Sequence, residues 1–161
     1  MPVSVRHRSE ITTTETLGDE NLSSADNGVT FALTTDKVLN AGSTPPATKR
    51  ASFKTTLTAG VATIDLRALS GLNGGVVDGN GLKVQVLKFR GKSDNANPIT
   101  VKEGAANGYE LLGNLFTLDV KAGQEVTLFL NGAAPVISST TKNIDLVGTG
   151  SQVLEGEIVM G

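Results

Sequence analysis

The chain has 161 residues, 39% hydrophobic and 19% charged, with a formal net charge of −2, 19 glycines and no cysteine. A chain of this length buries roughly 70% of its unfolded surface, so a single domain core is expected. The composition excludes a disulfide framework, thiolate chemistry and the concentrated basic face that general nucleic-acid affinity requires. Aromatic residues are limited to five Phe and Tyr109, with no Trp. That leaves little for stacking on sugars or single-stranded bases.

Residues 1–28 are rich in Ser, Thr, Asp and Glu, and their larger apolar residues are scattered (Val3, Val5, Ile11, Leu17 and Leu22). The stretch Glu10–Thr16 has β-propensity from its β-branched residues but little to bury. This predicts an extended N-terminal arm over 1–28, ordered by adding a strand to a neighbour. Arg6, His7 and Arg8 form the one compact basic cluster. Because Arg pairs with carboxylates through two parallel hydrogen bonds, Arg6, Arg8 and Ile11 are the candidate partner-binding residues. The start of the chain carries no apolar leader core, and no run approaches 18 apolar residues, so neither a signal peptide nor a membrane span is expected.

From Val29 to Gly161 the sequence alternates short β-type runs with turns rich in Gly, Asn and Asp. Val29, Phe31 and Leu33 share one parity and predict a first core strand. Ala51–Thr58 and Val61–Leu66 flank Ala59-Gly60, a two-residue connection that predicts a hairpin. Leu66–Ser70 has the pattern of a single helical turn. Leu82–Arg90 breaks its own parity: Leu82, Val84 and Val86 share a face, while Leu87 and Phe89 take the other. That requires a strand covered on both faces, or a bulge near Val86. Pro98 suits the first residue of a strand through Val101. Further runs follow at 115–120, 125–130, 135–137, 143–147 and 152–160. The expected core is Phe31, Phe53, Ile64, Val84, Val86, Phe116, Leu118, Val126, Leu128 and Ile158. Such spacing predicts an all-β fold, an antiparallel β-sandwich with a jelly-roll-like body over 29–161.

Chemical motifs are sparse. His7, the one histidine, lies in the polar arm, away from any nucleophile and acid that would complete a triad. Zinc needs a His, Cys and carboxylate cluster that the sequence lacks. Asp78-Gly79-Asn80-Gly81 and Asp94-Asn95-Ala96-Asn97 fail the ligand spacing of a calcium loop and suit turns instead. Asp65, Asp119 and Asp145 sit opposite in parity to the apolar residues of their runs, where solvent-facing groups belong, and Glu155 and Glu157 share an outer or edge face. Glycoside chemistry would want an aromatic groove beside paired carboxylates. The expectation is a protein that is not an enzyme and uses no cofactor or metal.

Leu82–Phe89, Asn97–Val101, Asn107–Gly113, Ile144–Gly150 and Glu155–Val159 resemble segments of small β-sandwich virion proteins of tailed bacteriophages. The resemblance is to the cement or decoration proteins that coat the head. It implies a jelly-roll-like body, a homo-oligomer with a trimer favoured, and attachment to a major capsid protein. It further implies residence on the capsid exterior after assembly in the host cytoplasm, with neither nucleic acid nor membrane as partner. Alternatives are another virion component (a head-fibre base, a tail or adaptor piece, a minor capsid protein) and a carbohydrate-binding β-sandwich.

Overall fold

In the computed structural model, residues 3–17, 27–71 and 74–161 are described, without the side chains of 14–17 and 27–31. Two long strands come first, β1 (Ser4–Leu17) and β2 (Asn27–Asn40), and among the described residues they pair only with each other. Arg6 near the start of β1 bonds Asp36 near the end of β2, so this ribbon is antiparallel. Arg6–Val38 forms one compact unit; Leu39–Gly161, with the start of the chain through Val5, forms the other.

The body holds β3 (Lys49–Thr56), β4 (Val61–Asp65), β5 (Leu69–Ser70), β6 (Val76–Val77), β7 (Val84–Gly91), β8 (Ile99–Glu103), β9 (Thr117–Val120), β10 (Glu125–Phe129), β11 (Asn143–Val147) and β12 (Val153–Met160). One four-stranded sheet has the order β10-β7-β12-β3 and the other β4-β11-β8-β9, while β5 and β6 make a small pair. All the pairings within these sheets are antiparallel. The fold is an all-β antiparallel sandwich. The pairing is nested: β3 with β12, β4 with β11, β7 with β10, β8 with β9. This is the pattern of one long double-stranded ribbon folded over on itself.

Alternation fills the space between the sheets. Leu87, Phe89, Leu154 and Ile158 come from one sheet, and Ile64, Ile99, Val101, Val120, Ile144 and Leu146 from the other, all in one buried cluster. Ile64, Val84, Phe116 and Ile158 join that core as the sequence pattern predicts. Phe53, Leu118, Val126 and Leu128 are half-buried and pack against its margin, because edge strands and sheet ends lack a second layer. The Phe31 side chain lies outside the described residues.

Leu33 departs from expectation. It is 74% exposed, because β2 belongs to the ribbon and not to either sheet of the sandwich. Leu66–Ser70 is likewise not helical; Ala68 N–H donates to Asp65 O in a single turn that leads into β5. The predicted hairpin survives only at its tip. Ala59 and Gly60 both have positive φ, and Thr58 pairs with Val61, after which β3 and β4 part into opposite sheets. The connection is a corner of the sandwich.

Both readings of Leu82–Arg90 hold at once. The register of β12 on β7 shifts between Val159 and Met160, so Gln85 is the extra residue of a bulge. The bulge turns Val84 to the same side as Leu87 and Phe89, in the main core. Val86 faces the other way, into a second buried cluster with Leu39, Ala47 and Val159, flanked by Val5 and Phe129. Gln85 is itself buried, and its Nε2 donates to Gly161 O at 3.0 Å.

Tyr109 is fully buried. Its hydroxyl donates to Pro135 O at 2.8 Å and accepts from Val84 N–H at 3.2 Å, tying two loops to β7. Burial pushes its phenol up to about 12, the hydrogen bond from Val84 opposing the shift. Tyr109→Phe is expected to cost about 1–3 kcal/mol in urea unfolding, since it leaves two buried polar groups without their partner. With the folded value above the ordinary 10.0, the stability tied to the neutral phenol is full below that value. It is lost as pH rises toward about 12. As the chain's one Tyr, without Trp, its tyrosinate absorbance reads this directly; a midpoint at the free-phenol value would contradict the burial. Phe89→Ala should cost about 3–5 kcal/mol, as expected for a fully buried ring.

Candidate interaction surface

Strand alternation gives the ribbon two unlike faces. Arg6 and Asp36 bond each other and so share a face, Arg6 Nε donating to Asp36 Oδ1 at 2.8 Å. Arg8 is on the same side, 2.6 Å from Glu10, and Thr12 bonds Glu10 as well. This charged face balances its own signs. Val38, 55% exposed, lies at its base by parity. The odd-numbered face carries Val5, Ile11 and Leu33 among His7, Ser9, Thr13, Thr35 and Lys37, with Ile11 64% exposed.

The three residues expected to bind a partner are therefore divided. Arg6 and Arg8 lie on one face and Ile11 on the other, and each arginine already has an intrachain carboxylate. The even and odd numbering already separates them in the sequence; what it did not disclose was Asp36 as the partner of Arg6, thirty residues on. Asp36 sits below its ordinary value because the Arg6 guanidinium donates to it.

The outer face of the β10-β7-β12-β3 sheet is a second charged surface. Glu125, Arg90, Glu155 and Lys54 form one row across four strands, alternating in sign. Lys88 and Glu157 oppose each other in the next row. Arg90 lies 2.5 Å from Glu155, Lys88 lies 2.7 Å from Glu125, and Arg50 pairs with Glu157. The shallow basin among these residues is lined by charges that already answer one another. Opposite charges placed directly across strands stabilise the sheet. Glu155 and Glu157 lie on an outer face as expected, but β12 is an interior strand, not an edge.

The strand carboxylates of the other sheet also have local partners. Asp145 accepts from Thr63 Oγ1 at 2.7 Å and from Ala105 N–H at 2.8 Å, Asp119 accepts from Thr100 at 2.7 Å, and Asp65 pairs with Lys142. Among the described residues there is no group of three or more His, Asp or Glu that would hold a metal ion. No helix of the described residues is long and apolar enough to cross a membrane.

Leu115, expected to open a strand, is instead 80% exposed with φ of 57°, its N–H donating to Glu103 Oε2 at 2.8 Å. The strand begins two residues later, at Thr117. Leu115 and the half-exposed Leu112 make an apolar loop tip that the periodicity of the run concealed.

The paired carboxylates make stability depend on pH in the acid range. Glu157, Glu155 and Glu125 are lowered from 4.5 chiefly by hydrogen bonds from Arg50, Arg90 and Lys88. A lowered value contributes stability above the ordinary value and loses it as pH falls through the folded one. Stability in urea should be level near neutrality and decline progressively below the ordinary 4.5. The decline should shrink in about 1 M salt, where the Debye length is about 3 Å. A rise in stability on acidification would contradict the pairing. Comparison with protein-family models, curated proteins and solved structures finds no match to this chain.

Proposed function

We propose that the protein is a structural component of a virion, a capsid cement or decoration protein that binds and stabilises the outer surface of a phage head. The observation that carries the proposal is the β1–β2 ribbon: long, two-stranded, and exposed along most of its described side chains. An isolated two-stranded ribbon is marginal in water. Strand pairing onto a neighbouring chain is the common way such an element gains order. The nested strand order gives further support, since it suits a jelly-roll-like body, an architecture used by viral capsid proteins. The partner in this role is the major capsid protein. The cement protein itself is a homo-oligomer, with a trimer favoured, and it acts on the capsid exterior without nucleic acid, membrane or cofactor.

Attachment is assigned to the charged face of the ribbon, where Arg6 and Arg8 would exchange Asp36 and Glu10 for carboxylates on the shell. Such exchange costs little, because exposed ion pairs contribute about 0–1 kcal/mol.

The test uses purified protein and phage shells that lack it. Excising Arg6–Val38 and joining Val5 to Leu39 through a short Gly-Ser link keeps Leu39 in the second cluster and Val5 against it. The body should retain its thermal midpoint to within a few degrees, and shell binding should be lost. Arg6→Ala with Arg8→Ala should weaken binding more at low than at high salt. Undiminished coating of shells by the excised protein would overturn the assignment.

A further inference from the structure

We propose that Asn131 is a covalent modification site, where the chain converts its own side-chain amide to a carboxylate through a cyclic imide formed with Gly132. The inference is independent of the assembly role proposed above.

An Asn followed by Gly suits this chemistry, because no Cβ obstructs the approach of the following backbone nitrogen. Gly132 N, its proton passed to solvent, attacks Asn131 Cγ. The new N–C bond closes the imide ring, and the side-chain nitrogen leaves as ammonia. Water then opens the ring at either carbonyl, giving aspartate or its β-linked isomer. Either product adds one negative charge to the −2 of the chain. Water is the one co-reactant, and nothing is oxidised or reduced.

The nitrogen and Cγ meet only if the peptide unit between the two residues turns. Among the Asn-Gly pairs whose side chains are described, Asn80, Asn107 and Asn131 are all exposed. They differ in what holds that unit. Gly81 N–H donates to Ile137 O at 2.9 Å, so the nucleophile beside Asn80 is engaged. Asn107 O accepts from Lys142 N–H at 2.8 Å and Asn143 N–H at 2.9 Å, which fixes the unit from its other end. Between Asn131 and Gly132, neither the carbonyl nor the N–H has a partner among the described residues. This unit is the central one of a β-turn closed by Ala133 N–H on Leu130 O at 2.9 Å. Both central residues have positive φ, 48° at Asn131 and 78° at Gly132, as Asn and Gly tolerate best. The unit can therefore rotate while the closing bond stays made. The turn leads from β10 toward Pro135, whose carbonyl holds the Tyr109 hydroxyl. Lys83 Nζ donates to Gly132 O at 3.2 Å, so the new carboxylate arises beside a cation.

The test ages the full chain in mildly alkaline buffer, folded and in concentrated guanidinium, and follows each Asn-Gly peptide by mass spectrometry. In the folded protein, Asn131 should gain the mass of the amide-to-acid exchange at least about tenfold faster than Asn80 or Asn107, the difference expected from one or two retained hydrogen bonds. In guanidinium the three rates should converge. Both aspartate and its β-linked isomer are expected at position 131. An Asn131 rate no greater than that of Asn80 or Asn107 in the folded protein would overturn the inference. So would a lead of undiminished size in guanidinium, which would make sequence and not the turn its cause. Aspartate without the β-linked isomer would also overturn it, because direct hydrolysis of the amide needs no attack by Gly132.

Discussion

The pairing of β7 with β12 is the constraint on which the rest of the body depends, because each strand is flanked on both sides within its sheet and covered on both faces along part of its length. Two interior strands without a break in register would direct Val84 and Val86 to the same side. The extra residue at Gln85 prevents this. It gives Val84 to the main core and Val86 to the cluster with Leu39, Ala47 and Val159. A bulge commonly re-aims side chains in this way. Its cost is a buried amide: Gln85 Nε2 finds Gly161 O, and Leu130 N–H finds Gln85 O, while Gln85 Oε1 has no protein partner.

Gly156 completes the same pairing. It lies between Phe53 and Phe89 in register, and a Cβ there would lie 2.6 Å from Lys88 O and meet the Phe53 ring as well. The absent side chain lets Phe53 approach Phe89 edge to face, at 6.1 Å between ring centroids. Residues next to it in sequence, Glu155 and Glu157, point outward into the alternating charges. One strand thus supplies an aromatic socket inward and a charge ladder outward.

Much of the body could be read from residue alternation. Ile144 and Leu146, or Ile99 and Val101, are buried for the reason that makes them alternate. The parity break in Leu82–Arg90 announced both the bulge and the double cover. What the sequence concealed came from pairing at a distance. Val29–Leu33 has the pattern of a core strand, yet β2 pairs with β1, so Leu33 is exposed. Alternation says which residues share a face and not what that face meets. The same limit applied to the surface. Arg6, Arg8 and Ile11 are close in sequence, but period-two geometry places them on opposite sides, and Asp36 enters only through the returning strand. Leu115 was hidden differently: a positive φ at a bulky residue has no compositional signature.

The nested order of the strands has a kinetic consequence. The innermost pair, β8 with β9, closes only the short segment between Glu103 and Thr117, whereas β3 with β12 must bring Thr56 to Val153. Loop-closure entropy rises with the length enclosed, so the inner pairs are the natural place for structure to start and each shortens the next loop to be closed. The outermost pair is both the last to gain and the most distant in sequence. Topologies dominated by such remote pairings typically acquire their native state in milliseconds to seconds. Until β12 arrives, β7 has one unpaired edge and an uncovered apolar flank at Val86. The strand that unites the finished body is therefore also the one whose delay leaves the nascent fold open to a wrong partner.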